Sequence, residues 1–252
     1  MRIPRQLAVT INHGLDEWVP PAIRDAKWFM RPAMKALFRD RTDDFATFKD
    51  KAFGLSEREF SDVYRRVAPV LIDRETDLNH RCIQRILGAV AGSTVLEAGT
   101  GRGYLSGLLS RSFDVTGTDI IVPVEVRERY PRVTFQEANV ESLPFPDDSF
   151  DTVVCTHTLE HVQNLQAAVR ELRRVAKDRL IIVVPRQRPY KHSFDLHIHF
   201  FPYAWSLQSH FGYRDHCRVT LIGDWFYVED NPVAELGDHR RSLRHQPLPQ
   251  RG

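Results

Sequence analysis

Residues 95–103 read Val-Leu-Glu-Ala-Gly-Thr-Gly-Arg-Gly, so an apolar run meets an acid and then glycine at every second position. A helix-like run, residues 104–113, follows directly. Glycine adopts positive φ without strain and lets the backbone approach a ligand closely. This order of strand, glycine turn and helix N-terminus predicts an α/β sheet with a cofactor crevice at the end of the strand.

The spacing of the glycines discriminates between cofactors. The dinucleotide fingerprint is Gly-x-Gly-x-x-Gly, whereas Gly99, Gly101 and Gly103 give Gly-x-Gly-x-Gly. Tyr104 stands where the third dinucleotide glycine should be, and its bulk disfavours a pyrophosphate. A glycine turn alone is often only a tight connection between strand and helix, so the segments that follow it decide the interpretation.

Three later segments add to the glycine turn. A second apolar run, residues 114–121, places Asp119 near its end, about 20 residues beyond the glycines, where a carboxylate can accept both hydroxyls of a ribose. Residues 135–151 pass through Leu-Pro-Phe and lead into a further predicted strand. Residues 158–162 then read Thr-Leu-Glu-His-Val.

In this order the segments resemble the motifs of class I S-adenosylmethionine-dependent methyltransferases, over about residues 94–185. The resemblance implies S-adenosyl-L-methionine as the cofactor, with Asp119 on its ribose and Asn139 on its adenine. The family usually has Asp at the second position, but an Asn carbonyl oxygen can also accept the adenine amino hydrogen. The implied cofactor contacts are Glu97, Gly99, Thr100, Gly101, Gly103, Tyr104, Asp119, Ile120, Asn139, Val140 and Thr156.

The resemblance and the apolar runs predict an α/β fold. We expect a Rossmann-like, doubly wound, seven-stranded, mostly parallel sheet with an antiparallel C-terminal strand and an N-terminal helical extension. Residues 180–184 are continuously apolar, as in a buried parallel strand, and residues 218–222 and 225–228 form a predicted hairpin. The predicted division is a helical extension or lid over 1–76, the S-adenosylmethionine-binding domain over 77–231 and a flexible tail over 232–252.

Residues 15–76 follow a helical pattern with a broad apolar stripe. Pro20, Pro21 and Pro32 interrupt it and suit first helical turns better than helix interiors. Most of the stripe is expected to pack against the sheet, but in related methyltransferases such helices often form a lid over the cofactor and shape the acceptor pocket. The candidates for a lid surface are Trp28, Phe29, Met30 and Phe38.

Capping signals predict where further helices begin. A capping box at residues 56–59 opens a helix over residues 57–71, and Thr76 or Asp77 is expected to cap the next one, over residues 77–90. The amphipathic run 164–177 is predicted to turn Arg170, Arg173 and Arg174 to solvent.

Methyl transfer from a sulfonium needs alignment of the acceptor and, where the acceptor carries a proton, its removal. His157 lies where the chain leaves the fourth strand and is the first choice of base; its structural alternative is a histidine bonded to loop backbone. Glu160 and His161 are expected to open the next helix, where either could equally serve as cap or packing group. The catalytic candidates are therefore His157, His161 and His199.

Residues 192–201 form a histidine-rich run after the fifth strand. His197 and His199 would share one face of an extended strand and, with Asp195 or His192, could build a site of two histidines and one carboxylate. Many family members carry a His followed closely by Phe-Phe in this loop. The preferred interpretation is therefore acceptor pocket and lid, without a metal.

This chain lacks the residues that characterise two other types of methyltransferase. Residues 153–158 contain no Asn-Pro-Pro-aromatic sequence for a planar amide or exocyclic amine, and Cys155 does not follow a proline as a cytosine-directed nucleophile does. Cys155 is expected to be a small buried strand residue. A small-molecule acceptor methylated on oxygen, or on nitrogen, remains. The alternatives are a protein or RNA methyltransferase, or a cofactor-binding protein without transfer activity.

Composition agrees with a compact enzyme. The chain has 252 residues, of which 42% are apolar, and a formal charge of only +2. We therefore expect no strong positive electrostatic potential that would attract nucleic acid. Three dispersed cysteines favour a reducing compartment. We expect a cytoplasmic protein without a secretory signal or membrane span, and a homodimer is left open.

Overall fold

A computed structural model describes residue 10 and residues 14–67, 75–192 and 194–230. Its strands are β1 (Thr94–Ala98), β2 (Asp114–Asp119), β3 (Val133–Glu137), β4 (Phe150–Thr156), β5 (Ala176–Val184), β6 (Cys217–Leu221) and β7 (Trp225–Asp230). They form one sheet in the order β3-β2-β1-β4-β5-β7-β6. The pairs from β3 through β5 are parallel, and β7 is antiparallel to both β5 and β6. The predicted Rossmann-like sheet with an antiparallel C-terminal strand is confirmed.

Helices cover both faces of the sheet. They are α5 (His80–Leu87), α6 (Tyr104–Leu109), α7 (Val124–Arg129), α8 (Leu165–Val175) and α9 (Ala204–Phe211), which follow four earlier helices described below. On β5, Leu180 and Ile182 pack into the core that includes α8 and α9. Ile181 and Val183 pack into the opposite core with α5 and α6. The continuous apolar run of β5 is thus buried on both sides, as a central parallel strand requires.

The direction of winding reverses between β1 and β4, which are neighbours in the sheet. From β1 the chain proceeds outward to β2 and β3, and then returns to β4 on the other side of β1. In open α/β sheets such a reversal leaves a crevice at the carboxyl ends of the two strands. This topology sets the position of the candidate site.

The earlier helices are α1 (Pro21–Arg24), α2 (Lys27–Phe38), α3 (Thr42–Lys51) and α4 (Glu57–Val67). They build a third core of their own, which includes Phe45, Phe48 and Phe60. Leu196, from the segment after β5, is buried in the same core. The helices are therefore anchored to the carboxyl side of the sheet by apolar contact.

One expectation for the extension was wrong. Pro32 lies inside α2 rather than in a first turn. It removes a hydrogen bond to the carbonyl four residues earlier, at Trp28, and Trp28 is 73% exposed, so water can solvate that carbonyl. Among the candidates for a lid surface, Met30 and Phe38 are buried in the core of these helices.

The helix boundaries differ from the predicted ones in part. The capping box is confirmed, because the Ser56 backbone N–H donates to Glu59 at 2.9 Å. Helix α4 ends at Val67, and residues 68–71 of its predicted extent lie outside the described residues. Helix α5 is capped by Asn79, whose Oδ1 accepts from the Cys82 N–H at 3.0 Å, rather than by residue 76 or 77.

Arg173 does not face solvent as predicted. It is 6% exposed and pairs with Glu229 of β7 at 2.9 Å, while its Nη2 also donates to the Tyr227 hydroxyl at 3.2 Å. The partner carboxylate lies 56 residues away and compensates the buried charge. Cys155 is fully buried on β4, as expected.

No helix among the described residues is both long and apolar enough to cross a lipid bilayer. The predicted flexible tail, residues 232–252, lies outside the described residues.

Candidate active site

The turn between β1 and α6 holds the three glycines at positive φ: 81° at Gly99, 52° at Gly101 and 73° at Gly103. A Cβ on Gly99 would lie 1.9 Å from Thr158 Oγ1, and one on Gly103 would lie 2.9 Å from Val126. A Cβ on Gly101 would meet no described atom within 4 Å. Two glycines therefore permit close packing of the protein on itself, and only Gly101 leaves open space for a ligand.

Glu97 stabilises the glycine turn through its buried carboxylate. It is 2% exposed, and its Oε2 accepts hydrogen bonds from the hydroxyls of Thr100, at 3.1 Å, and Ser106. Burial raises the pKa of Glu97 to about 7 against the opposing effect of these hydrogen bonds. Glu97 and Thr100 thus brace the glycine turn.

Asp119, the last residue of β2, meets the glycine turn directly. Its Oδ2 accepts the Gly101 N–H at 2.8 Å, and its Oδ1 accepts the Ile121 N–H at 3.4 Å. Burial raises the pKa of Asp119, while these backbone hydrogen bonds oppose the shift. Two predicted cofactor contacts from separate segments are brought together at the crevice.

Asn139 follows β3 and forms an isolated bridge with Ser142. Its Oδ1 accepts the Glu141 N–H and its Nδ2 donates to Glu57 Oε1, both at 3.0 Å. Glu57 begins α4, so the N-terminal helices reach the stretch expected to bind adenine. Four further predicted contacts also lie near the carboxyl edge of the sheet: Tyr104 and Ile120 are half-buried, and Val140 and Thr156 are buried.

His157 leaves β4 with φ 49°, a conformation rare outside glycine. Its Nδ1 lies 3.3 Å from Glu160 Oε1, and its Nε2 lies 3.7 Å from Asp224 Oδ2. Burial by itself would lower the pKa of His157, but the carboxylates of Asp224 and Glu160 outweigh it and raise the pKa to about 9. His157 is therefore an imidazolium at neutral pH.

Glu160 and His161 lie in a turn before α8 and do not open that helix as expected. Asn164 caps it, through its Oδ1 and the Ala167 N–H at 3.0 Å. Glu160 is fully buried, and no described residue donates a well-formed hydrogen bond to either of its carboxylate oxygens. His161 Nδ1 lies 3.0 Å from the hydroxyl of Tyr64 on α4.

The predicted pairing of His197 and His199 on one extended strand was wrong, because no strand forms over the described residues 194–203. His199 Nε2 lies 2.8 Å from the Val162 carbonyl. His197 instead packs edge-on against His161, with ring centroids 4.6 Å apart. The backbone turn separates the two histidines, so the ligand set suggested by their spacing does not assemble.

Several residues at this mouth carried no sequence signal. Tyr64 and His161 are 97 residues apart, and Asp224 lies in the β6–β7 turn. Gln163 connects the same loop to the N-terminal helices, since its Nε2 donates to the Ala52 and Leu55 carbonyls at 2.7 and 2.9 Å.

Residues 96–184 match a family model described as a methyltransferase domain. A probable S-adenosylmethionine-dependent methyltransferase of Mycobacterium tuberculosis is 32% identical over 168 residues, which are 66% of this chain and 52% of that relative. A ubiquinone/menaquinone biosynthesis C-methyltransferase of Escherichia fergusonii is 30% identical over 48% of this chain and 55% of the relative. The chain spans about half the length of these curated relatives.

One solved structure, from work on the conversion of a disulfide bond into a thioacetal group during echinomycin biosynthesis, is 16% identical. It aligns with a TM-score of 0.54 over 75% of this chain and 99% of its own, which supports the fold. Residues 96–184 therefore form a methyltransferase domain similar to those of S-adenosylmethionine-dependent enzymes. The cofactor of that family is S-adenosyl-L-methionine, and the open side of Gly101 beside the Asp119 carboxylate fits its ribose.

Proposed function

We propose that this protein transfers the methyl group of S-adenosylmethionine to a small-molecule acceptor, most simply to an oxygen, at the carboxyl edge of β4 and β5. The proposal rests mainly on the contact of Asp119 with Gly101. This contact places a carboxylate that could bind the ribose diol beside the open side of the glycine turn. The E. fergusonii relative, named as a C-methyltransferase of quinone biosynthesis, supports a small-molecule acceptor.

The cofactor supplies a methyl group already activated on a sulfonium. Asp119 would accept the ribose hydroxyls, and Asn139 with Val140 would face the adenine. Glu97 and Thr100 would act indirectly, because their side chains hold the turn in which Gly101 can approach the ligand. This division leaves the chain with two tasks, alignment of the acceptor and removal of its proton.

Among the three proposed bases, geometry favours His161. His157 is already protonated between two carboxylates near neutral pH. His199 has Nε2 at the Val162 carbonyl, and burial lowers its pKa. His161 is half-buried, and the turn that carries it adjoins the cofactor crevice, because Thr158 of that turn packs against Gly99.

The lid helices would shape the acceptor pocket. Tyr64 contacts His161, Glu57 contacts Asn139 and Gln163 binds the α3–α4 connection, so α4 spans both the cofactor and acceptor sides of the mouth. Closing the mouth in this way would exclude water from the methyl group.

Titration calorimetry with S-adenosylmethionine, followed by single-turnover release of S-adenosylhomocysteine with a panel of hydroxylated small molecules, tests the proposal. We expect binding at one site and product release with a subset of the panel. Failure of the folded protein to bind either cofactor form would refute it. Binding without turnover on the small-molecule panel would favour an effector-binding role, unless added protein or RNA became methylated, which would favour a macromolecular acceptor.

A further inference from the structure

Glu160, His161 and His197 converge at the carboxyl ends of β4 and β5. One potential ligand atom from each lies within 4.8 Å of the other two. Glu160 is fully buried, and neither of its oxygens has a well-formed hydrogen bond from any described residue. A buried carboxylate without donors needs a cation.

The hydrogen bonds around His197 define which ring nitrogen faces Glu160. Gln187 Nε2 donates to Asp195 Oδ2 at 2.9 Å, which orients the Gln187 amide. Gln187 Oε1 therefore faces His197 Nδ1, and Asp195 Oδ2 lies 3.5 Å from the same nitrogen. Because both neighbours are acceptors, His197 Nδ1 carries the hydrogen. In the neutral ring the lone pair is on Nε2, 4.0 Å from Glu160 Oε1.

His161 has the same arrangement on the other side. Its Nδ1 is engaged by the Tyr64 hydroxyl at 3.0 Å, which leaves Nε2 for a ligand. Metal-binding histidines commonly have their second nitrogen held by an oxygen of this kind, which sets the tautomer and the ring orientation. Both histidines thus have an outer oxygen partner and an inner nitrogen available to the carboxylate.

We propose that Glu160, His161 and His197 bind one divalent transition-metal ion of the Zn²⁺ type at the acceptor mouth. Two imidazoles and one carboxylate form a known catalytic ligand set, and the fourth position stays open for substrate. Ligand bonds of about 2.1 Å in a tetrahedron put ligand atoms about 3.4 Å apart. The three side chains would need to move inward by only about 1 Å, within the reach of side-chain rotation.

The competing cation is His157. It lies between Glu160 and Asp224, at 3.3 and 3.7 Å, and as an imidazolium it would neutralise part of their charge. Glu160 has a second oxygen, and Asp224 would retain His157 when a metal occupies the cluster. The competition is decided by measuring metal binding directly.

The site deepens the proposed function and rests on it for its chemistry. Thr158 contacts Gly99, so the turn that carries Glu160 and His161 adjoins the cofactor crevice. The acceptor class would be a small molecule with a hydroxyl beside a second hydroxyl or a carbonyl, able to chelate the ion if its coordination expands from four ligands to five. The acceptor hydroxyl would lose its proton to solvent, its oxygen would bond the methyl carbon, and the carbon–sulfur bond would break with its electron pair remaining on sulfur. The ion would then replace His161 as the agent of deprotonation, because a bound cation lowers the pKa of a coordinated hydroxyl.

The test is titration of the chelator-treated full chain with Co²⁺, followed by visible absorption, and with Zn²⁺ by calorimetry. We expect one equivalent to bind, with the absorption of a low-coordinate Co²⁺ site. Glu160→Gln and His197→Ala should each weaken binding by at least about tenfold. His216→Ala, which removes an exposed histidine outside the cluster, should bind like the wild type. No Co²⁺ band in the wild type, or a band unchanged in both cluster variants, would overturn the site.

Thermal unfolding provides a second measurement that does not depend on whether the cluster variants fold. Zn²⁺ should raise the Tm of the wild type and of His216→Ala; no rise in the wild type would overturn the site without recourse to any cluster variant. S-Adenosylmethionine calorimetry on the same wild-type protein separates this inference from the proposed function. Cofactor binding without metal binding overturns only the metal site, whereas metal binding without cofactor binding supports the site and contradicts the methyltransferase proposal.

Discussion

The two sides of the crevice are built in different ways. On the cofactor side, Glu97, Gly101 and Asp119 meet through contacts between residues no more than 18 positions apart, several of them through backbone groups. On the acceptor side, side chains from α4, from the turn after β4, from the segment after β5 and from the β6–β7 turn converge around one buried carboxylate. The first side depends on local conformation, and the second depends on long-range packing and charge.

Backbone strain also separates the two sides. The cofactor side uses glycine at each positive φ, where it costs little. On the acceptor side His157 adopts φ 49°, which costs about 1 to 3 kcal/mol and must be supported by its surroundings. Substitutions of the glycines on the cofactor side should therefore act through the backbone, whereas the strained backbone of His157 must be held by the contacts around it.

The largest expected effect is on the glycine turn. Gly99→Ala should lower the free energy of unfolding by about 4 kcal/mol, because φ is 81° and the new Cβ would meet Thr158 Oγ1, Cγ2 and Cβ at 1.9 to 2.8 Å, so that rotation of one group cannot relieve the overlap. Gly101→Ala, with no described atom within 4 Å of its Cβ, should cost only about 1 kcal/mol of stability and mainly weaken cofactor binding. Urea unfolding and calorimetry distinguish them, and equal stability losses would contradict the assigned roles.

The ion pairs on the acceptor side should make the free energy of unfolding depend on pH. The pKa of His157 is raised to about 9 in the folded protein, above its ordinary value near 6.5, so its stabilising contribution is complete below about pH 6.5 and is lost as the pH rises through 9. The difference corresponds to about 3 kcal/mol. His157→Gln should flatten the fall in unfolding free energy over this range, measured by urea titration at several pH values. His216→Gln, at an exposed position, is the matched control, and parallel curves for wild type and His157→Gln would rule out the ion pairs as the cause.

Asp119→Ala should weaken S-adenosylmethionine binding by about 2 to 3 kcal/mol, roughly 30- to 150-fold, because it leaves the ribose hydroxyls without their charged acceptor. The matched control is Asp114→Ala, an exposed carboxylate at the opposite end of the same strand. Calorimetry measures both. An Asp119→Ala protein with wild-type affinity would remove Asp119 from the cofactor site.

The smallest expected effect is at the contact between α4 and His161. Tyr64→Phe removes the hydroxyl 3.0 Å from His161 Nδ1 and should lower the free energy of unfolding by about 1 kcal/mol, while cofactor affinity stays the same. Tyr213→Phe, on a side chain that is 73% exposed, is the control for both readouts. A loss of cofactor affinity in Tyr64→Phe alone would mean that the two sides of the crevice are coupled more closely than their construction indicates.

Sequence was sufficient wherever neighbouring residues decide conformation. The glycine spacing, the capping box of α4, the continuous apolar run of β5 and the hairpin at Gly223 all follow from local rules, and together they predicted the sheet and the position of Asp119 at its edge. The resemblance, carried by the glycine turn and by residues 114–121, 135–151 and 158–162, named the family and its cofactor.

Only the tertiary structure decided which polar side chains are buried and what they meet. Arg173 has a helical position typical of solvent exposure, yet it is buried and forms an ion pair with Glu229. His197 and His199 are two residues apart and separate, whereas Tyr64 and His161 are 97 residues apart and meet. Such contacts depend on how helices and loops pack over the sheet. A periodic pattern in the sequence carries no information about which distant residue a side chain will contact. The glycine turn, in contrast, carries its own geometry in nine consecutive residues.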